Sequence, residues 1–149
     1  MTTNYQRTAA WLHACGKLRN AANLSVQIGC DFEEQAELLE CLNINDPVLM
    51  GDLKGVIEQL KFIGKELKAG RAKARFPVDQ RANALDALCD REVTGNGIAY
   101  LAHFNKEEAD RLVLDANDAK LIDGKPVLLP GGKIGKPDGW KAADLTPFV

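Results

Sequence analysis

The chain has 149 residues, of which 46% are apolar and 27% charged, and its formal net charge is −2. This length corresponds to one domain and is sufficient for a hydrophobic core. The small net charge gives no electrostatic reason to expect nucleic acid or an anionic membrane as a partner. The apolar runs are far shorter than a membrane span, and no secretory leader pattern opens the chain. We therefore expect a soluble, cytoplasmic protein.

The four cysteines give no metal-binding pattern. Cys15, Cys30, Cys41 and Cys89 all lie in helical patterns, and none of them forms a C-x-x-C pair. His13 is close to Cys15 in the sequence, but no second pairing of this kind exists, so zinc is not expected. The four thiols are expected to be reduced and buried, where they behave as small apolar side chains.

Hydrophobic periodicity predicts a series of helices over the first 120 residues. A short helix is expected from Gln6 to Lys17. Asn23 or Ser25 is expected to cap the second helix, because a side-chain oxygen there can accept from free backbone N–H groups. Asp46 followed by Pro47 is typical of a helix start and is expected to begin the third helix.

The third helix, from about Val48 to Ala69, carries a regular apolar pattern. Apolar residues recur at alternating spacings of four and three: Leu49, Leu53, Val56, Leu60, Ile63 and Leu67. This heptad-like seam predicts that the helix packs lengthwise against another helix. That helix lies either in the same chain or in a second subunit.

Two further helices are predicted before the tail. The fourth opens near Pro77 and runs to about Phe104, and Gly95 and Gly97 are expected either to kink it or to let another backbone approach closely. The fifth begins at Asn105, which together with a glutamate three residues later resembles a capping box.

The last thirty residues change character. Their many glycines and prolines exclude a helix. Lys125 to Leu129 and Lys133 to Ile134 are candidates for a small β-hairpin across a Pro-Gly-Gly turn, and Trp140 and Phe148 are expected to tether this tail. The prediction is thus one all-α domain over residues 1–149. It is a four- to five-helix bundle over 1–120 with an irregular Gly/Pro/Lys-rich tail over 121–149.

Three carboxylates lie together on the second helix. Glu33, Glu34 and Glu37 are on the side opposite its main apolar stripe, yet the same sector also holds Val26, Cys30 and Cys41. Apolar neighbours of this kind indicate that the acidic face is covered as well. Crowded carboxylates in a covered cleft are stabilised by a cation, so the pattern predicts a Mg²⁺ site. The alternative is a solvated charged face, which is common for such a motif.

A second polar cluster lies on the fourth helix. Asn83, Asp86 and Asp90 share one face at spacings of three and four, with apolar residues flanking them. Two helices presenting inward carboxylates are suited to hold Mg²⁺, which prefers oxygen ligands. Such an ion can polarise a phosphoryl oxygen and activate a water, and a further carboxylate can take the proton. The predicted reaction is attack of water on a phosphoanhydride.

These motifs resemble those of the MazG-like and phosphoribosyl-ATP pyrophosphohydrolase-like all-α nucleoside triphosphate pyrophosphohydrolases. Glu33-Glu34-Gln35-Ala36-Glu37 matches their E-E-x-x-E, and Asn83-Ala84-Leu85-Asp86 corresponds to their E-x-x-D. The lysine-rich tail is similar to that of phage-type members. The resemblance implies Mg²⁺-dependent hydrolysis of a nucleotide between the α and β phosphates, with Mn²⁺ as the alternative ion. It also implies a homodimer or homotetramer.

The resemblance also implies roles for individual residues. Glu34, Glu37 and Asp86 would bind metal, and Glu33 would bind a second metal or orient the attacking water as the catalytic residue. The implied contacts to substrate phosphate are Asn117, Lys120, Lys133 and Lys136. Asn83 departs from the family acid and is a poorer ligand, which Asp90 one turn later would offset. The departure leaves open a non-catalytic protein that binds metal or nucleotide at a degenerate site.

Overall fold

The computed structural model describes residues 2–129 and 134–149 and confirms the all-α class. Within these residues there are five helices: α1 (Asn4–Ala14), α2 (Ala21–Glu40), α3 (Pro47–Lys68), α4 (Arg81–Leu101) and α5 (Lys106–Asp118). Two-residue strands, β1 (Leu121–Ile122) and β2 (Lys125–Pro126), follow α5. No helix in this part of the chain is long and apolar enough to cross a membrane.

The chain divides into two compact units. One unit is Arg19–Val78 and contains α2 and α3. The other joins Met1–Leu18 to Asp79–Val149 and contains α1, α4, α5 and the tail. The predicted boundary between helical body and tail, at residue 120, falls just after the end of α5.

Local side-chain caps explain where the helices begin. The Thr3 hydroxyl and the Gln6 side chain form a capping box at the start of α1. Asp46 caps α3, as predicted, because its carboxylate accepts from two backbone N–H groups of the first turn. The prediction for α2 was wrong by one turn. The cap is Asn20, whose side-chain oxygen accepts from the Asn23 N–H at 2.8 Å.

Helices α2 and α3 form a hairpin with a close crossing. Ala36 on α2 and Ile57 and Leu67 on α3 are buried. Gly29 and Gly64 are also buried, and a Cβ atom on either would lie within 2.8 Å of the other's carbonyl oxygen. The absence of side chains at these two positions is therefore what allows the two backbones to approach.

The predicted apolar seam of α3 packs lengthwise against α2, but only one of the two rows of residues that make up the seam is covered. Leu67 is 5% exposed and lies against Gly29, while Leu53 and Leu60 are half-buried. The alternate seam residues, Leu49 and Ile63 among them, are exposed. Helix α2 therefore covers one of the two rows that make up the seam.

Helix α4 is continuous through its two glycines. Apart from the adjacent backbone of α4, no atom in the described part of the chain lies within 4 Å of the position that a Cβ would take at Gly95 or Gly97. The expected close approach of another backbone is thus not found there. Only Ala99 of this helix is buried.

The tail begins with a turn that the sequence analysis missed. Strands β1 and β2 pair antiparallel, with Leu121 opposite Pro126. Asp123 and Gly124 connect them in left-handed conformations, with φ angles of 50° and 73°. Such angles are favourable for glycine and are tolerated by aspartate, which accounts for these two residues in the turn.

Part of the predicted tail hairpin is present. Leu128 and Ile134 form an antiparallel bridge, and the Gly135 N–H donates to the Val127 carbonyl oxygen at 2.6 Å. The Pro-Gly-Gly turn expected between them, and with it Lys133, lies outside the described residues.

Candidate functional site

The acidic motif of α2 is largely exposed. Glu33 is half-buried and forms an ion pair with Lys68 of α3. Glu34 and Glu37 are both exposed. At 100° per residue they lie well away from Ala36, the residue of α2 that is fully buried in the hairpin. The structure therefore places Glu34 and Glu37 on the part of α2 that α3 does not cover, and the expected covered cleft is not formed around these two residues.

The apolar neighbours of the motif are only partly covered. Val26 and Cys30 are half-buried, whereas Cys41 is exposed and its thiol lies 3.4 Å from the Glu37 carbonyl oxygen. Because α2 is continuous over this stretch, these residues lie on the same side of the helix as the acids, as predicted. The prediction that the whole sector is buried was wrong, because α3 packs on the neighbouring face of α2, around Gly29 and Ala36.

The polar cluster of α4 is also exposed, and it belongs to the other unit. Asn83, Asp86 and Asp90 follow one another along a continuous helix, which places them on a common face as predicted. The Asn83 amide donates to the Gln80 side-chain oxygen at 3.3 Å. The Asp90 carbonyl oxygen accepts from the Thr94 hydroxyl within the same helix.

No preformed metal centre is found over residues 2–129 and 134–149. These residues contain no group of three or more His, Cys, Asp or Glu side chains placed to hold a metal ion. The carboxylates of the two motifs have the oxygen donors that Mg²⁺ or Mn²⁺ prefers. The predicted ligands are divided between the two units: Glu33, Glu34 and Glu37 lie on α2, and Asn83, Asp86 and Asp90 lie on α4.

Three of the four phosphate-contact candidates, Asn117, Lys120 and Lys136, lie close to one another or to the same indole ring, and the fourth, Lys133, lies outside the described residues. The Lys120 ammonium donates to the Asn117 side-chain oxygen at 2.8 Å. It lies 5.2 Å from the centre of the Trp140 ring and 6.0 Å from that of Trp11. The Lys136 ammonium lies 4.6 Å from the centre of the Trp140 ring. We call these five residues the tryptophan–lysine cluster.

Both indoles of the cluster are fixed to the end of α5. Trp11 donates its ring N–H to the Asn117 carbonyl oxygen at 2.8 Å, and Trp140 donates to the Ala116 carbonyl oxygen at 2.7 Å. The last carbonyls of a helix have no partner within the helix, so these bonds satisfy them. The predicted tether of the tail by Trp140 is confirmed. Phe148 contributes a second attachment, because its carbonyl oxygen accepts from the Asn105 N–H at 2.9 Å.

An ion-pair network that the sequence analysis missed joins α1 to α5. Arg7 is half-buried and donates to Asp115 at 2.8 Å and to Asp118 at 2.5 Å. The hydrogen bond to Asp118, followed by the one to Asp115, raises the pKa of the Arg7 guanidinium. Arg7 is more than one hundred residues away from both aspartates in the sequence, so no local pattern could have indicated these ion pairs.

The cysteines confirm one part of the thiol prediction and correct another. None of the four forms a disulfide, and Cys15 is buried, with desolvation raising the pKa of its thiol. Cys30 is half-buried, while Cys41 and Cys89 are exposed. Burial was expected for all four and is therefore wrong for the last two.

Comparisons with known proteins give no relative. A scan against protein-family models finds no match, and comparisons with curated proteins and with solved structures find no significant similarity.

Proposed function

We propose that the protein is a Mg²⁺-dependent nucleotide pyrophosphohydrolase that cleaves a nucleoside triphosphate, or a related nucleotide, between the α and β phosphates. The observation that carries the proposal is the placement of Glu34 and Glu37. They lie one turn apart within the E-E-x-x-E motif, on a face of α2 that α3 leaves accessible. Mn²⁺ is the alternative ion, and Glu33 is proposed to act as the catalytic carboxylate.

The tryptophan–lysine cluster supports the nucleotide part of the proposal. It gathers Lys120, Lys136 and Asn117, three of the four residues that the resemblance assigns to substrate phosphate. Ammonium groups bind phosphate oxygens, and an indole face offers a stacking surface for a base. Lys133 remains a proposed contact on the residue pattern alone.

A second candidate is a protein that binds nucleotide or metal without turnover. Two observations favour it. The described carboxylates form no preassembled metal group. Asn83 also occupies the position of a family acid, where a neutral amide is a weaker ligand for Mg²⁺.

The direct test is pyrophosphate release from a panel of ribo- and deoxyribonucleoside triphosphates, with Mg²⁺ and then with Mn²⁺. We expect release from at least one nucleotide and a loss of on the order of a hundredfold in Glu37→Ala, because a direct metal ligand would be removed. Glu40→Ala is the matched control. Glu40 lies three residues further along α2 and pairs with Lys61 at 2.6 Å, outside the motif. Equal losses in both variants would contradict the assigned role of Glu37.

Binding without turnover separates the two candidates. A ligand that binds the native state raises its stability, by about 2.7 kcal/mol at a hundred times its dissociation constant. A rise in melting temperature with nucleotide and Mg²⁺, without pyrophosphate release, would support the non-catalytic candidate. Neither a rise nor any release would overturn both and leave a helical module of another kind.

A further inference from the structure

The unit formed by α2 and α3 separates its charges between the two ends of the hairpin. Residues 31–58, around the turn that joins the helices, contain eight acidic residues and a single lysine. Residues 59–78, which include the last turns of α3 and the segment after it, contain six Lys or Arg residues and one glutamate. Residues 19–30 add Arg19 and no acidic residue. The open end of the hairpin, where α2 begins and α3 ends, is therefore strongly basic.

The two ends are far enough apart to act on a ligand separately. Helix α3 has 22 residues, which at 1.5 Å per residue span roughly 33 Å. Charges in solvent are largely screened from one another beyond about 8 Å at physiological ionic strength. An anionic partner at the open end therefore meets the basic residues there and not the carboxylates around the turn. The small net charge of the whole chain is an average over the two ends, so it does not decide what the open end can bind.

Four cations of the open end are available to a ligand. Half of the basic residues over 59–78 are neutralised, because they form ion pairs with glutamates of the same unit: Lys61, Lys68 and Arg71. The others are exposed and form no ion pair within the described residues, and Arg19 shares this property. We call this set of four the basic end: Arg19, Lys65, Lys73 and Arg75. A ligand that binds these cations breaks no existing ion pair.

A contact with α2 holds two of these cations on the outer surface. Ala74 is half-buried, and its N–H donates to the Ser25 hydroxyl in the first turns of α2 at 2.9 Å. Lys73 and Arg75 flank Ala74 and are both exposed, and this alternation is that of an extended chain whose successive side chains face opposite ways. The first turn of α2 contains no acidic residue, so the partial positive charge of that helix end adds to the cations beside it.

Two exposed phenylalanines accompany the basic end. Phe76 is 40% exposed and follows Arg75 directly. Phe62 is 60% exposed on α3, three residues before Lys65, and residues at this spacing are neighbours on a helix surface. Cations beside aromatic rings are the combination with which proteins bind single-stranded nucleic acid, because the cations contact phosphates and the bases stack on the rings. A membrane anchor would instead carry its apolar residues along one helix face, whereas these two rings lie on different elements.

We propose that the basic end binds single-stranded nucleic acid, without base specificity and without a divalent ion. Its four cations contact phosphates, and Phe62 and Phe76 each provide a ring on which a base stacks. Stacking of this kind tolerates any sequence, since every base has a π face. A duplex should bind more weakly, because its bases are already stacked on one another and do not reach the rings.

The first test measures the binding of a fluorescently labelled oligothymidylate to the full chain by anisotropy, in EDTA and at several salt concentrations. Each phosphate contact on a single strand contributes about −0.7 to the slope of log K against log salt concentration, so four contacts should give about −3. Lys73→Gln with Arg75→Gln should bring the slope closer to zero by about 1.4. The matched control is Lys54→Gln with Lys125→Gln, which removes two exposed positive charges away from the basic end and should leave the slope unchanged.

The second test measures the stacking contribution. Phe76→Ala should weaken oligonucleotide binding by about fivefold or more, because one stacked base is lost, and it should leave the salt slope unchanged. Phe104→Ala is the control. Phe104 is 48% exposed and lies in the other unit, so its removal should not change the affinity. Equal losses in the two variants would contradict the stacking role of Phe76.

The remaining outcomes are equally distinct. A chain that does not bind the oligonucleotide, or equal salt slopes in the two double variants, would overturn the proposal. Binding to vesicles of phosphatidylserine and phosphatidylcholine without binding to the oligonucleotide would assign the basic end to a membrane surface instead. Tighter binding of a duplex than of the single strand would overturn the single-stranded assignment. All binding is measured in EDTA and does not depend on Mg²⁺-dependent hydrolysis, so this proposal and the proposed function can fail separately.

Discussion

Gly29 and Gly64 face each other where α2 crosses α3, and each lies where a Cβ would contact the other's backbone. A Cβ on Gly29 would lie 2.7 Å from the Gly64 carbonyl oxygen, and one on Gly64 would lie 2.8 Å from that of Gly29. Both distances are below any normal contact, and the opposing atoms belong to the backbone. The crossing therefore requires glycine at both positions.

Gly64→Ala is expected to destabilise the protein. The added methyl group would force α2 and α3 apart. Overpacking of this kind costs about 1–3 kcal/mol, which outweighs the roughly 1 kcal/mol that alanine gains over glycine in helix propensity. Chemical unfolding measures the change. Gly97→Ala is the control, because among the described residues no atom apart from the adjacent backbone of α4 lies within 4 Å of its added Cβ. Only the propensity gain applies there, so that variant should be more stable. Stabilisation in both variants would show that the α2–α3 crossing is not tight.

Ser25 ties the segment after α3 to the first turns of α2. It is 3% exposed, and its hydroxyl oxygen accepts from the Ala74 N–H at 2.9 Å. The same hydroxyl lies 2.9 Å from the Ala21 carbonyl oxygen, to which it can donate. One side chain thus links two chain segments that are 49 residues apart.

Ser25→Ala should lower the free energy of unfolding by about 1 kcal/mol, because the Ala74 N–H loses its partner in a partly buried place. Amide hydrogen exchange gives a local measurement, and we expect faster exchange at Ala74. Thr94→Ala is the comparison, since within the described residues the exposed Thr94 hydroxyl bonds only to carbonyls of its own helix. An unchanged exchange rate at Ala74 in Ser25→Ala would contradict the role of this contact.

Ser25 also shows which parts of the fold the sequence predicts. The helices follow from periodicity and from local caps such as Asp46 and Pro47, so their existence and the limits of α3 were predictable, whereas the predicted limits of α1 and α4 differ by several residues from those observed. The start of α2 was not, because Asn20, Asn23 and Ser25 are all competent caps within two turns. The role of Ser25 is determined by its contact with Ala74, and no local sequence pattern indicates that contact.

The candidate site was predictable only in its residue types. Helical spacing correctly places Glu34 and Glu37 beside Cys30, and Asn83 on one face with Asp86. Whether the acidic face is covered depends on which element packs against it. Apolar residues near the acids in the sequence do not specify that element. The same holds for Lys120, whose contact with two indoles depends on a hydrogen-bonded tail.

The end of α3 carries an ion pair that gives a pH prediction. Arg71 donates two hydrogen bonds to Glu66, at 2.7 Å and 2.8 Å, so the guanidinium and the carboxylate meet as a fork. The hydrogen bond from Arg71 is the main reason that the pKa of Glu66 is below its ordinary value, and Lys65 contributes a smaller electrostatic effect. Folding therefore favours the charged carboxylate.

The direction of this pKa shift determines the pH range in which the ion pair stabilises the fold. Because the pKa of Glu66 is lower in the folded than in the unfolded chain, the contribution is present above the ordinary glutamate pKa and is lost as the pH falls through the lowered value. Arg71→Gln should raise the Glu66 pKa towards its ordinary value, whereas Lys65→Gln should raise it only slightly. A titration of the Glu66 carboxyl carbon by NMR measures both. If Lys65→Gln had the larger effect, the pKa of Glu66 would be set by general charge rather than by the fork with Arg71.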